Sequence, residues 1–204
     1  MTETDTIDTE PRVALLLGQL DTAWALFEHH LEGIDDRAAL WEPAPGAWSV
    51  RPGPGGAWTP DWQVAEPDPA PPVTIAWTMW HISYWWSTVH EVCFGGGEAP
   101  ERTSIAWPGS AEAAAGELRG LHAAWRTALE GATAADLDSA DRTAALPWPV
   151  TMTLGDAAGW VTVELTKNVA EIGLLRHLYL NRPERSQRPE PRPEASQGAG
   201  EERP

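Results

Sequence analysis

A single cysteine, Cys93, stands among the 204 residues. It excludes an internal disulfide framework and any cysteine-based zinc motif. No apolar stretch is long and unbroken enough to cross a bilayer. The opening segment, Met1–Glu10, is acidic and has no apolar run of the kind a secretory leader needs. These absences lead to the expectation of a cytoplasmic protein with no membrane partner. Basic residues are scarce as well: 14 Lys and Arg against 30 Asp and Glu give a formal charge of −16. Four acids and no base fall in the first ten residues, while the stretch from Arg182 onward balances five arginines with five glutamates. The remaining −12 therefore belongs to the part expected to fold. An acidic domain repels phosphate backbones, so nucleic acid is not an expected partner. Phe and Tyr number two each, whereas Trp reaches 13. Ala, Arg, Gly and Pro in abundance, with few Lys, point to a GC-rich bacterial gene.

Apolar residues at helical spacing (Val13, Leu16, Leu17, Leu20, Trp24, Phe27, Leu31) predict a first amphipathic helix over Pro11–Glu32, with Pro11 in its first turn and Gly33 at its end. His29 and His30 at its C-terminus read as solvated side chains. A short helical turn over Asp35–Leu40 precedes a strap from Trp41 to Pro72 that is crowded with Pro and Gly and cannot be regular helix. Its four tryptophans (Trp41, Trp48, Trp58, Trp62) predict that it packs back onto the domain, as a core-filling strap or as the wall of a site. Val73–Phe94 is apolar almost all round and reads as a buried central helix, with His81 as its polar exception between Trp77 and Trp85. Cys93 reads as a small buried apolar residue. Ser110 is placed to cap a third helix running to about Glu130, and an acidic turn near Ala134–Ser139 and a Pro-punctuated link follow.

The last helix, Thr153–Tyr179, is the most informative stretch. Thr153 and Asp156 form a capping-box pair at its start. Trp160, Val161, Leu165, Ile172, Leu174, Leu175 and Leu178 fall on one broad side, and Thr162, Thr166, Gly173 and His177 on the other. Glu164, Lys167, Asn168 and Glu171 project from the middle of the apolar side, where an unpaired charge costs several kcal/mol. Either they satisfy one another or they face a pocket. Ion pairs Glu164–Lys167 and Lys167–Glu171, with Asn168 bonded to His81 across the core, would satisfy them. The domain expectation is an acidic lead-in (1–10), one folded domain (11–181) and a Pro-, Arg- and Glu-rich tail (182–204).

Four helices with a long strap between the first two predict an all-α fold, an antiparallel four-helix bundle with its crossover loop between helices 1 and 2. The phrases GQLDTAWALFEHHLEGIDDRAALWEPAPGAWSVRP, TIAWTMWHIS and VELTKNVAEIGLLRHLY resemble the DinB-like superfamily of bacterial four-helix-bundle proteins, from about Leu15 to Tyr179. The resemblance implies a divalent metal held by three side chains, commonly histidines, one from the second helix and two from the last at i, i+4. In some relatives that metal activates a low-molecular-weight thiol such as mycothiol or bacillithiol. Carried onto this chain, the metal positions are His81, Glu164 and Asn168. An amide is a poor ligand for zinc or nickel, and Lys167 adds repulsion beside it. The preferred reading is therefore a polar cluster without metal. Two functions follow: a metal-assisted, thiol-dependent transferase or isomerase, or a metal-free bundle that holds a small ligand or pairs with a second copy of itself.

Overall fold

The computed structural model describes residues 10–65 and 67–183. Apart from Glu10, Arg182 and Pro183, the acidic lead-in and the tail anticipated at the two ends lie outside these residues. The described chain is mostly helical: α1 (Pro11–Leu31), α2 (Asp36–Ala39), a two-stranded hairpin of β1 (Val50–Pro52) and β2 (Trp58–Pro60), α3 (Ile75–Phe94), α4 (Ala111–Glu130), α5 (Ala134–Asp138) and α6 (Leu154–Leu180).

Local chemistry marks the helix boundaries. Thr74 and Ser110 accept from the first-turn amides of α3 and α4, and Thr153 with Asp156 closes a reciprocal box at the start of α6. Pro11 opens α1, and Gly33 follows it at φ +75°, where a side chain would be strained. The apolar faces of α1, α3, α4 and α6 meet in one core that includes Leu20, Phe27, Trp80, Trp125, Leu165 and Ile172.

Contacts between the long helices give their directions. Glu28 pairs with Arg119 and Asp21 with Arg126, so α1 and α4 are antiparallel. Thr78 meets Glu171, His81 meets Glu164 and Trp85 meets Trp160, so α3 and α6 are antiparallel too. By contrast, Thr22 and Leu26 share a groove with Gly159 and Thr166, and Arg176 reaches the Glu32 carbonyl, so α1 and α6 run the same way. Helices α3 and α4 also run the same way, with Trp86 on His122 and Phe94 on Trp125. The expected crossover between the first two long helices is thus corrected. The segment that crosses the length of the helices is 95–110, which joins the end of α3 to the start of α4. The strap after α1 instead returns to the end it left: the Trp48 amide donates to Pro72 O at 2.8 Å, and the Thr74 amide to Trp48 O at 2.9 Å. These bonds pin the strap beside the first turn of α3, and loop length alone does not reveal which end of a helix a loop returns to.

The strap docks as anticipated. Trp48 packs on Trp77 and Trp62 on Trp80, with ring centroids 5.6 and 5.8 Å apart. Trp77 donates its indole N–H to Asp61 O at 2.8 Å. The crossing segment is held similarly, by Trp80 donating to Ile105 O at 2.7 Å and by a bridge between Trp107 and Trp58.

Candidate functional site: a polar cluster between two helices

The antiparallel contact of α3 and α6 brings His81 and Asn168 to Glu164, where i, i+4 spacing places Asn168 and the family resemblance places His81. Glu164 and Asn168 are one turn apart on α6, and His81 faces them from α3. Their connections differ from the expected ones. Asn168 bonds Glu164 rather than His81: its Nδ2–H donates to Glu164 Oε1 at 3.3 Å. His81 Nε2 lies 3.3 Å from the same oxygen, and Lys167 Nζ lies 2.6 Å from it. Three donors therefore converge on one carboxylate oxygen. Lys167, the only lysine in the chain, keeps its ammonium in solvent while reaching this acid.

Electrostatics follow from this geometry. Burial pushes the Glu164 carboxyl up, but the hydrogen bonds from His81 and Lys167 outweigh it and hold the group at about 2. The cluster therefore carries an ionised acid at neutral pH. Glu171 does not form the expected pair with Lys167. It accepts from Thr78 Oγ1 at 3.3 Å instead, and burial raises its pKa above the ordinary carboxylate range. Trp77 stacks on the His81 ring at 5.0 Å, and the buried His81 Nδ1 has no partner among the described residues.

Indoles wall the space beside the cluster. Trp85 lies one turn beyond His81 on α3, and Trp160 lies one turn before Glu164 on α6. Together with Ile82, Trp86, Leu165 and Asn168 they line a cavity of about 20 Å³, room for a single water. Trp148, from the link between α5 and α6, packs against both outer indoles, 4.3 Å from Trp160 and 6.3 Å from Trp85. Sequence reasoning passed over Trp148 because the Pro-Trp-Pro link shows no periodicity. Its one legible signal was an indole held between two prolines.

The other candidates resolve as structural. Burial pushes the Cys93 thiol up to about 12, so it is no nucleophile at neutral pH. His122, unassigned from the sequence, stacks on Trp24 with centroids 4.3 Å apart. His30 is not fully solvated as expected but lies half-buried against Gly173, while His29 is exposed.

The cluster does not fit a resident zinc or nickel ion. Glu164 Oε1 is already filled by three donors, one of them an ammonium, and Asn168 presents its N–H to the acid where a ligand would present a lone pair. A metal-bound imidazole usually donates its second nitrogen to an acceptor, and His81 Nδ1 has none among the described residues. Among the described residues, no group of three or more His, Cys, Asp and Glu lies where it could hold a metal.

Fold and site together define a helical protein built around an acid–imidazole–amide–ammonium cluster between α3 and α6. The chain belongs to the DinB superfamily: the family model DinB_2 matches residues 54–172, more than half of the chain and the span that contains His81, Glu164 and Asn168. No curated protein and no solved structure matches the chain.

Proposed function

We propose that this chain is a metal-independent DinB-superfamily module that binds a small molecule rather than transforming one. In this reading its long helices form a four-helix bundle in which 95–110 is the crossover. The observation that carries it is the convergence of His81, Lys167 and Asn168 on Glu164 Oε1, at 3.3, 2.6 and 3.3 Å. A carboxylate satisfied in this way needs no metal ion, and its bond to His81 holds α3 and α6 in register. A cytoplasmic location belongs to the same reading. So does a second copy of the chain as partner, seated on the groove between α1 and α6 whose lining residues carry no charge.

Metal analysis and chelation of the full chain test it. The expected result is no stoichiometric zinc or nickel and a melting temperature unchanged by EDTA. A bound stoichiometric metal whose removal lowers the melting temperature would overturn it, since a ligand that binds only the folded state stabilises that state. Replacing Asn168→His supplies a lone pair one turn from Glu164. Combined with Lys167→Ala, it is expected to raise nickel affinity at least about tenfold.

A metal-assisted, thiol-dependent transferase or isomerase is the second reading. It is favoured by His81 and Glu164 standing 3.3 Å apart, two of the three positions such a site needs. It also requires room for a thiol beside Asn168, where the cavity is about 20 Å³.

A further inference from the structure

The strap carries a solvent-open pocket of about 300 Å³, bordered by Trp48, Arg51, Asp61, Trp62 and Gln63. It shares no lining residue with the cavity beside Glu164. A volume at the lower end of ordinary ligand sites takes one small ring with its substituents.

The polar groups of this pocket are fixed in place and only partly used. Asp61 is held at three points. Its amide donates to Ser49 O at 2.8 Å, its carbonyl accepts the Trp77 indole N–H at 2.8 Å, and its Oδ2 accepts the Ser49 amide at 2.9 Å. Arg51 Nε donates to both Asp61 oxygens, and Arg51 Nη2 to Glu42 Oε1 and Ala47 O. A guanidinium also carries N–H donors on its other terminal nitrogen, and those on Arg51 Nη1 have no described acceptor. Asp61 Oδ1 takes only the shared Nε–H, at 3.1 Å, and keeps a lone pair. The amide of Gln63, an exposed residue, adds donors and an acceptor without described partners. The indole N–H groups of Trp48 and Trp62 also lack described acceptors, and neither is buried.

These unused groups suit a ligand that donates and accepts at several adjacent atoms. Hydroxyls do both, whereas a carboxylate only accepts and an ammonium only donates. Charge points the same way. Arg51 pairs with Glu42 and Asp61, and the Arg102 guanidinium lies over Trp62 at 5.0 Å, so two cations stand against two acids. The indoles supply apolar surface for ring C–H groups.

We propose that this pocket binds a neutral single-ring saccharide. Adjacent hydroxyls bond Arg51 Nη1, Asp61 Oδ1 and the Gln63 amide, and ring C–H groups rest against Trp48 and Trp62. Asp61, tied at its amide, carbonyl and carboxylate, is preorganised for this and loses little freedom on binding. None of these residues belongs to the cluster of His81, Glu164 and Asn168, so the site does not depend on whether that cluster takes a metal.

The methyl glycosides of glucose, galactose and mannose are the probes, with acetate as the anionic counterpart. Each is titrated into the isotopically labelled full chain while the indole N–H signals are followed by NMR. At least one glycoside is expected to shift the Trp48 and Trp62 signals saturably, with a Kd of about a millimolar, and to leave the Trp160 signal in place. Arg51→Lys keeps the charge but removes the planar fork, and is expected to weaken that binding at least about tenfold. Gln63→Ala is expected to weaken it about threefold. No response to any of the three glycosides overturns the proposal. So does tighter binding of acetate, which would make the pocket an anion site on Arg51. If Arg51→Lys disturbs the strap, Gln63→Ala on its exposed side chain still decides, and unchanged affinity there sinks the assignment. Glycoside binding in a chain that also holds stoichiometric metal sinks the metal-independent reading alone.

Discussion

Glu164 and Glu171 are two acids on one helix, two turns apart, and their environments drive them in opposite directions. For Glu164, burial is outweighed by the His81 and Lys167 hydrogen bonds, so its folded value falls from 4.5 to about 2. Its stabilisation is therefore present above the unfolded value and is lost as pH falls from about 4.5 toward 2, a contribution on the order of 3 kcal/mol. Glu164→Gln is expected to lower unfolding free energy at pH 7 by about 2–3 kcal/mol, with the gap to wild type closing over that acid window. Urea titrations at a series of pH values read this directly. Glu171 is the reverse case. Burial raises its pKa, so the folded state holds its proton longer and stability is lost as pH rises through the raised value. Glu171→Gln is expected to raise the melting temperature at pH 7 and to make no difference below the ordinary carboxylate range. A variant that destabilises at neutral pH would show that Thr78 stabilises the ionised form.

At the scale of elements, the strap is the piece whose energetics are most exposed to test. Trp48 lies on Trp77 and stands 6.5 Å from Trp62, beside the backbone bonds that fasten the strap to the start of α3. Removing the indole forfeits roughly 1.5–3 kcal/mol of burial, so Trp48→Ala is expected to lower the melting temperature by several degrees. An unchanged melting curve would mean that the strap is not docked in solution. Helix α6 shows where periodicity alone misleads. Thr162 and Gly173, read from the sequence as its outward side, are buried, and Leu174, read as inward, is 59% exposed. A single helix has no unique inner face once three neighbours pack on it. The approach of α1 makes use of Gly173, since a Cβ there would come within 2.7 Å of His30.

Across the whole molecule, the outer face of α1 and α6 stands apart. Gln19, Thr22, Leu26, Gly159, Val163 and Thr166 border a groove of about 410 Å³ with no charged residue among them. Leu26 is 46% and Val163 69% exposed. On a chain of formal charge −16, a second copy can meet this face without setting acid against acid. Two parallel helices, about 30 and about 40 Å long and about 10 Å apart, offer roughly the 800 Å² per partner that a stable interface needs. Light scattering at tens of micromolar is expected to read a dimer, and Val163→Asp a folded monomer. A monomeric wild type ends that assignment.

Helix positions, the caps at Ser110 and Thr153, and the docking of the strap's tryptophans were all determined by the sequence itself, because each depends on local spacing and side-chain chemistry. The convergence of His81, Glu164 and Asn168 was legible too, from i, i+4 spacing and a family resemblance. Three things were decided only by tertiary structure. One was the hydrogen bonding inside the cluster, since which donor reaches Glu164 Oε1 depends on how α3 and α6 are rotated against each other. The second was the chain's path, in which 95–110 rather than the longer strap crosses the length of the helices. The last was the place of Trp148, an indole in an aperiodic link that takes its position only when α3 and α6 bring Trp85 and Trp160 together beneath it.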